Sequence, residues 1–197
     1  DGLFDRGAIT FEEYVGAMED DSGLPKGKLL DIGCGAGALT MRCALTYPEA
    51  ELTGMDYWGK EWSYAKEQCE KNAKVEKVSD RVSFQKGDAA SLDFADETFD
   101  AIVSNFVFHE VRTAKDKRDV VREAFRVLKK GGAFALQDMF AQKALYGDME
   151  QFVEELKKAG FQEVHYIGNI EKQDGLVPGY IQTPWMISGA GLIYGIK

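Results

Sequence analysis

The sequence predicts an α/β fold built on a mostly parallel sheet, and three observations support this prediction. Short apolar segments alternate with longer segments of helical periodicity along most of the chain. The first strand, within residues 28–40, leads through a glycine-rich turn directly into helix-forming residues. Acidic residues follow several strands, at the edge where an open α/β sheet places its ligand-binding side chains.

Composition limits the domain count and the class of partner. A chain of 197 residues is long enough for one α/β domain with a sizeable core, so we expect residues 1–197 to form a single domain. The net charge of −9 argues against binding nucleic acid through bulk electrostatic attraction. A small, neutral or cationic substrate suits this charge better.

Cysteine usage and hydropathy bear on the cellular compartment. Cys34, Cys43 and Cys69 have no C-x-x-C spacing, and the chain has only two histidines, so neither a disulfide framework nor a zinc site is expected. The sequence contains no run of about 18 apolar residues that could cross a membrane. These features predict a cytoplasmic protein, a prediction that does not extend to any segment upstream of Asp1.

The glycine-rich turn predicts a cofactor site. Glycine permits unusual backbone angles and lets a ligand approach the N–H groups that a strand-to-helix turn leaves unpaired. The glycines alone are compatible with two cofactors, because Gly33, Gly35 and Ala38 also fit the dinucleotide pattern G-x-G-x-x-G/A. Asp31 precedes the first glycine by two residues. Its carboxylate would repel a pyrophosphate and suits a cationic amino group.

This stretch resembles the first motif of class I S-adenosylmethionine-dependent methyltransferases, which has the form D/E-x-G-x-G-x-G. The match is complete over seven residues, namely Asp31, Ile32, Gly33, Cys34, Gly35, Ala36 and Gly37. Further motifs extend the resemblance over nearly the whole chain. It implies S-adenosylmethionine as the cofactor and a Rossmann-like three-layer sandwich. The implied sheet has seven strands in the order 3-2-1-4-5-7-6, with strand seven antiparallel.

The predicted second strand, residues 51–55, is followed by Asp56. A carboxylate there can accept two hydrogen bonds from a ribose diol, an arrangement that NAD enzymes and methyltransferases share. Tyr57 and Trp58 come next. Either side chain could lie against an adenine ring or pack beneath the following helix, which is predicted over residues 60–73.

Gly87, Asp88 and Ala89 follow the predicted third strand, residues 81–85. In the family that the sequence resembles, the acid at this place meets the adenine amino group. A dinucleotide-binding fold does not require it, so Asp88 favours S-adenosylmethionine over NAD.

The predicted fourth strand, residues 99–104, continues into Asn105, Phe106, Val107, Phe108, His109 and Glu110. The resemblance places this segment beneath the methionine moiety and the transferable methyl group. The segment lacks the D/N-P-P-Y/F motif of enzymes that methylate nucleic-acid amines, and it lacks the strand-end aspartate of metal-dependent catechol-type enzymes. It looks most like small-molecule enzymes of the ubiquinone/menaquinone-biosynthesis type, so we expect a small-molecule acceptor and no metal.

His109 and Glu110 are the candidates for a general base in the segment that the resemblance places beneath the transferable methyl group. A base adds roughly 10²–10⁴-fold to the rate when the nucleophile carries a proton. A packing or hydrogen-bonding role for His109 remains open at this point.

Periodicity predicts a helix over residues 115–130, with Gly131 ending it. Arg118, Arg122 and Arg126 line one face of this helix, which we expect to be solvated rather than an RNA-binding surface. The Leu-Lys-Lys-Gly-Gly turn that follows resembles the family's L-K-P-G-G turn into strand five, which should end near residues 137–138.

The next predicted helix begins at Asp148 and ends at Gly160, with Phe152, Leu156 and Ala159 facing inward. Residues 163–167 and 190–196 are then predicted to form strands six and seven. No oligomeric state follows from these patterns.

Two segments are additions to the common sheet. Residues 1–24 are expected to form an N-terminal helical cap, a lid over the cofactor or a helix packed on the sheet edge. Residues 168–189 are an insertion between the last two strands that contains Tyr180 and Trp185. It is suited to an acceptor pocket, and a dimer contact or an inert loop are the alternatives.

The sequence therefore predicts metal-independent methyl transfer from S-adenosylmethionine to a small-molecule acceptor. Alternatives are an NAD-dependent oxidoreductase on the same fold, a non-catalytic S-adenosylmethionine-binding module, and a methyltransferase acting on protein or RNA. The residues do not define whether O, N, C or S is methylated.

Overall fold

The computed structural model describes residues 27–59, 65–173 and 187–197, and these residues form one seven-stranded sheet. Its order is β3-β2-β1-β4-β5-β7-β6, and only β7 runs antiparallel to its neighbours. The predicted fold class and strand order are confirmed. The strands are β1 (Gly27–Ile32), β2 (Ala50–Asp56), β3 (Val82–Lys86), β4 (Phe99–Asn105), β5 (Leu128–Asp138), β6 (Glu163–Gly168) and β7 (Gly191–Ile196).

Helices cover both faces of the sheet. They are α1 (Ala38–Thr46), α2 (Ala65–Val75), α3 (Lys117–Val127), α4 (Lys143–Tyr146) and α5 (Met149–Lys158), with short 3₁₀ turns at Phe108–Glu110 and Ile170–Lys172. Successive residues of a strand face opposite sides. In β1, Leu29 packs with α1 and α2, whereas Leu30 packs with α3 and α5. The sheet is therefore the middle layer of three.

Helix α3 is shorter than the sequence predicts. The carboxylate of Asp116 caps its start by accepting a hydrogen bond from the backbone N–H of Arg118 at 2.9 Å. The helix ends at Val127, and Gly131 lies inside β5 rather than at the helix end. Leu128 is fully buried opposite Phe99 in the sheet, so sheet pairing overrides helical periodicity.

Two predictions about helix faces need correction. Ala159 is exposed after α5, although Asp148 caps this helix and Phe152 is buried as expected. Arg126 is not simply solvated, because its guanidinium donates to the carbonyls of Leu92 and Phe94 at 2.9 Å each. It thereby ties the loop before β4 to α3.

Some predictions fall outside the part of the chain that the structure describes. These are the helix within residues 1–24, the start of the second helix at residues 60–64, and residues 174–186 of the insertion. Among the described helices, none is long and apolar enough to cross a membrane.

Candidate active site

The carboxyl ends of the parallel strands bring the predicted site residues to one edge of the sheet. Asp56 ends β2, Asp88 follows β3, and Asn105 ends β4. Strand β1 lies between β2 and β4 and pairs with both. The turn after β1 therefore lies between the acid of β2 and the segment after β4.

The glycine turn follows β1, and two of its three glycines, Gly33 and Gly35, have distinct roles. Gly33 has a φ of +75°, and a Cβ added to it would lie 2.2 Å from a methyl group of Val107. Gly35 has a φ of +54°, and a Cβ added to it would meet no atom of the described residues within 4 Å. Gly33 thus allows close packing against the segment after β4, whereas Gly35 borders open space that a ligand can use.

Hydrogen bonds within the protein already engage much of the turn's backbone. The N–H groups of Gly33 and Cys34 donate to the carbonyl of Met55 at 2.7 and 3.0 Å, and that of Gly37 donates to Cys34 at 2.7 Å. A pyrophosphate at a Rossmann turn relies on such N–H groups. Their engagement here fits S-adenosylmethionine better than a dinucleotide.

Asp31 lies beneath the turn rather than aiming into it. Its side chain is 1% exposed and accepts a hydrogen bond of 2.6 Å from the hydroxyl of Thr40 in α1. Burial raises the pKa of Asp31 to about 7; the Thr40 hydrogen bond opposes this rise, and the negative charge of Asp56 adds to it. Asp31 is therefore an acid of the site whose protonation changes near neutral pH.

Asp56 connects β2 to the glycine turn. One carboxylate oxygen accepts from the N–H of Gly35 at 2.8 Å, and the other accepts from the N–H of Trp58 at 3.0 Å. Each oxygen has a second lone pair, so the carboxylate can also receive a diol. These two bonds fix its orientation at the open side of the turn.

The two aromatic residues after Asp56 have different environments. Trp58 is buried against Cys34, Ala65 and Cys69, and its indole N–H donates to the carbonyl of Gly35 at 2.9 Å. Trp58 therefore has the packing role, one of the two roles that the sequence left open for it. Tyr57 is 64% exposed and remains a candidate for the contact with the adenine ring.

The segment after β3 contains one candidate cofactor-binding acid, Asp88. Asp88 accepts from the N–H of Ala90 at 2.9 Å and from the hydroxyl of Thr113 at 3.2 Å. Gly87 and Ala89 have packing roles, since a Cβ on Gly87 would lie 2.8 Å from the sulfur of Met55 and the Ala89 side chain belongs to the core.

The segment after β4 folds back tightly beside the glycine turn. Asn105 is half-buried and pairs with Gln137 of β5. Phe106 has a φ of +54°, uncommon for a residue with a side chain, and its N–H donates to the carbonyl of Gln137 at 2.8 Å. Its ring lies edge-on to His109, with centroids 6.5 Å apart.

His109 is paired with a carboxylate that the sequence analysis did not select. Its Nδ1 lies 2.8 Å from a carboxylate oxygen of Asp138, which ends β5 and is fully buried. Its Nε2 lies 3.3 Å from Glu110. The hydrogen bond to Asp138 is the main cause of the raised pKa of His109, against which burial acts; the charges of Asp138 and Glu110 add to the rise and Lys117 opposes it.

A signal for Asp138 was present in the sequence, because an acid at a strand's carboxyl end is the same feature that marked Asp56 and Asp88. Because Asp138 and His109 are 29 residues apart in the sequence, their spacing did not indicate that they pair. Among the described residues, no group of three or more His, Cys, Asp or Glu side chains is placed to hold a metal ion. Metal independence stays a prediction.

Comparison with known proteins identifies the class. A family model described as a methyltransferase domain matches residues 30–136, more than half of the chain. The chain belongs to the class I S-adenosylmethionine-dependent methyltransferases, and S-adenosylmethionine is its cofactor. The NAD alternative is thereby excluded.

Two relatives illustrate the extent of the similarity. Erythromycin 3''-O-methyltransferase of Saccharopolyspora erythraea is 33% identical over 131 residues, which are 65% of this chain and 40% of that protein. Sterol 24-C-methyltransferase of Aspergillus fumigatus is 32% identical over 142 residues, which are 72% of this chain and 35% of that protein. The chain thus spans two fifths or less of the length of these relatives.

A solved structure supports the fold independently. Phosphoethanolamine N-methyltransferase 2 of Haemonchus contortus, in complex with S-adenosyl-L-methionine, superposes with a TM-score of 0.65 at 19% identity. The superposition covers 95% of this chain and 52% of that one.

Proposed function

We propose that the protein transfers the methyl group of S-adenosylmethionine to a small-molecule acceptor without a metal ion. The observation that supports this most directly is the packing of Val107 against Gly33. This packing brings the His109 segment beside the glycine turn, where we propose that the cofactor binds. The two curated relatives are named for small-molecule substrates, and the net charge of −9 disfavours an RNA acceptor.

Different residues at the sheet edge would bind different parts of S-adenosylmethionine. The carboxylate of Asp56 would accept hydrogen bonds from the ribose diol, and that of Asp88 from the adenine amino group. Tyr57 would cover the adenine ring. S-adenosylmethionine supplies a methyl group on a sulfonium, a reactive electrophile. Holding the acceptor in line with it can lower the barrier by up to about 7–11 kcal/mol, so a strong catalytic residue is not obligatory.

His109 is the proposed general base, and Glu110 is the weaker candidate. His109 is only partly exposed and hydrogen-bonded to Asp138, whereas the Glu110 side chain is 72% exposed. A non-catalytic S-adenosylmethionine-binding module would not require the ordered pair of His109 and Asp138. The cytoplasm is the proposed compartment, which agrees with three unpaired cysteines.

Calorimetry tests the cofactor site. Asp56→Asn should weaken binding of S-adenosylhomocysteine by about 1.5–3 kcal/mol, the usual contribution of hydrogen bonds to a charged group. Asp80→Asn removes an exposed carboxylate and should leave the affinity unchanged. Equal affinity in both variants would contradict the assigned role of Asp56.

A methyl-labelling experiment tests which class of acceptor the protein methylates. Methyl-labelled S-adenosylmethionine is incubated with the protein and with separate small-molecule, protein and RNA fractions of a cell extract. Label should enter the small-molecule fraction. Exclusive labelling of protein or RNA would favour a macromolecular acceptor, and cofactor binding with no labelled fraction would favour a non-catalytic module.

A further inference from the structure

We propose that Glu171, near the start of the insertion between β6 and β7, determines acceptor specificity by binding a positively charged nitrogen group of the acceptor. This inference rests on the proposed function and names the substrate class of the same site, a small molecule with an ammonium group. The ammonium group is the part of the acceptor that Glu171 recognises, and it need not be the atom that is methylated.

The two carboxylate oxygens of Glu171 have different environments. Oε1 accepts a hydrogen bond from the backbone N–H of Gly189 at 3.0 Å. Oε2 is enclosed by protein atoms and has no hydrogen-bond partner among the residues that the structure describes. A buried acceptor without a partner costs free energy, most of all when it is charged. Because Glu171 as a whole is partly exposed, its carboxylate can receive a donor that the described residues do not supply.

Glu171 lies at the border between the common sheet and the insertion. The preceding residue, Ile170, packs in one cluster with Phe106 and Ile187. The ring of Phe106 in turn lies edge-on to His109, with centroids 6.5 Å apart. Glu171 is therefore one residue away from the cluster that borders the proposed base.

Backbone hydrogen bonds hold the Glu171 carboxylate in place. The N–H of Ile170 donates to the carbonyl of Ala190 at 3.0 Å. The N–H of Ala141, in the loop after β5, donates to the carbonyl of Gly189 at 3.0 Å, and Gly189 itself donates to Oε1. A binding group that the protein already holds in place loses little conformational entropy when a ligand binds.

The charges around Glu171 favour a cationic ligand. Burial raises the pKa of Tyr166 to about 12, and nearby negative charges add to this rise, those of Glu150, Asp148 and Glu171. Several carboxylates therefore act on one region at the start of the insertion. A positively charged N–H group would form a charge-assisted hydrogen bond there, whereas a negatively charged ligand would be repelled.

The lysines in this region contact other side chains. Lys172 follows Glu171 directly, but its ammonium group donates to the side-chain oxygen of Asn169 at 3.4 Å. The ammonium group of Lys143 lies 3.5 Å from the carboxylate of Asp148. The acceptor can therefore supply the positive charge that these lysines do not bring to Glu171.

Steady-state kinetics with the isolated acceptor test the role of Glu171. In Glu171→Gln the amide oxygen can still accept from Gly189, but the negative charge is lost. KM for the acceptor should rise roughly 10–100-fold, while kcat and S-adenosylhomocysteine affinity stay nearly unchanged. Glu163→Gln is the matched control, since it removes a carboxylate that is 60% exposed at the opposite end of β6, and it should leave KM unchanged. A wild-type KM in Glu171→Gln would overturn the proposal.

Thermal unfolding separates a binding role from a structural one. Glu171→Gln should unfold at the same temperature as wild type or at a higher one, because Oε2 has no partner to lose among the described residues. A lower unfolding temperature together with a wild-type KM would assign Glu171 to structure alone. If the variant does not fold, fractionation of the acceptor with wild-type protein decides.

Cation exchange tests the acceptor class with wild-type protein. The small-molecule fraction of a cell extract is passed over a cation-exchange resin at neutral pH. The flow-through and the dried ammonia eluate are then incubated separately with the protein and methyl-labelled S-adenosylmethionine. Label should enter the eluate fraction, which contains the amines.

The two possible failures are distinguishable. Labelling confined to the flow-through would overturn the inference about Glu171 and leave the proposed function standing. Binding of S-adenosylmethionine with no labelled small molecule in either fraction would refute the proposed function, and the inference with it.

Discussion

Burial of the Asp31 carboxyl group leads us to expect that cofactor affinity depends on pH near neutrality. Asp31 is 1% exposed, and this burial raises its pKa to about 7; the hydrogen bond from Thr40 opposes the rise, and the charge of Asp56 adds to it. A cation bound nearby favours the charged form of an acid. The cofactor's amino group should therefore lower this pKa.

Binding of S-adenosylhomocysteine should release protons near neutral pH. A group with a pKa of about 7 in the free protein is about half protonated at that pH, and it becomes ionised when its pKa falls. Affinity should consequently rise roughly five- to tenfold from about pH 6 to about pH 7.5. Calorimetry in buffers of different ionisation enthalpy measures the release directly.

Asp31→Asn is the control, because it keeps an acceptor for the Thr40 hydroxyl and removes the titrating group. It should bind more weakly and show little pH dependence over that range. Proton uptake in wild type, or an identical pH profile in the variant, would show that Asp31 does not sense the cofactor.

Single residues also show where sequence reasoning reached its limit. Asp56 and Asp88 could be predicted because position relative to a strand end determines which edge they occupy. The burial of Trp58 and the pairing of His109 with Asp138 depend on contacts between distant segments. No local spacing encodes those contacts.

At the level of elements, the glycine turn combines a packing requirement with a binding requirement. Gly33 is confined by Val107, whereas Gly35 faces open space and also donates its N–H to Asp56. The motif pattern treats these glycines alike. The structure separates them by what a side chain would meet.

Gly35→Ala should reduce cofactor affinity by at least about tenfold with only a moderate loss of stability. Its Cβ would project into the space next to Asp56, and a positive φ costs a residue with a side chain about 1–2 kcal/mol. Gly160→Ala is the matched control, since Gly160 also has a positive φ and, in the part of the chain that the structure describes, no atom lies within 4 Å of an added Cβ.

Calorimetry with S-adenosylhomocysteine and urea unfolding give the two readouts. Gly160→Ala should lose stability and keep its affinity. If both variants bind equally well, the space beside Gly35 is not the cofactor site.

Helix α3 illustrates a boundary that periodicity cannot locate. The apolar pattern continues through Leu128, which suits a helix and a buried strand equally. The pairing of Leu128 with Phe99 and the 2.6 Å ion pair between Lys129 and Asp100 favour the strand. Both contacts join segments that are far apart in the sequence.

For the whole molecule, strand order and direction could be predicted because four motifs in sequence order match one family topology. The sheet then dictates which strand ends meet. Acceptor choice is not set by this common sheet, since one fold serves many substrates. It must depend on residues added around the sheet edge.

Metal independence is a prediction at this scale. The proposed transfer uses position and a protein base, and the described residues offer no cluster of metal ligands. Methyl transfer to the isolated acceptor should therefore persist in excess EDTA. Activity that disappears in chelator and returns with Mg²⁺ would contradict the prediction.

The insertion of residues 168–189 is the segment that we expect to select the acceptor. Its described ends meet beside the site, because Ile170 and Ile187 pack in one cluster with Phe106, and the N–H of Gly189 donates to Glu171 at 3.0 Å. The chain between these ends, including Tyr180 and Trp185, lies outside the described residues. The described ends on either side of it lie beside Phe106, whose ring centroid is 6.5 Å from that of His109.

Tyr180→Ala and Trp185→Ala should raise KM for the isolated acceptor or lower kcat, while S-adenosylhomocysteine affinity stays nearly unchanged. Large aromatic side chains provide much of the contact area in small-molecule pockets, so we expect each loss to exceed tenfold in kcat/KM, which corresponds to about 1.4 kcal/mol. Leu45→Ala, which truncates an exposed apolar side chain on α1, should change neither quantity. If the aromatic variants retain wild-type kinetics and instead change the oligomer size measured by light scattering, the insertion serves assembly, and acceptor choice must then depend on residues 1–24 or on Phe106 and its neighbours.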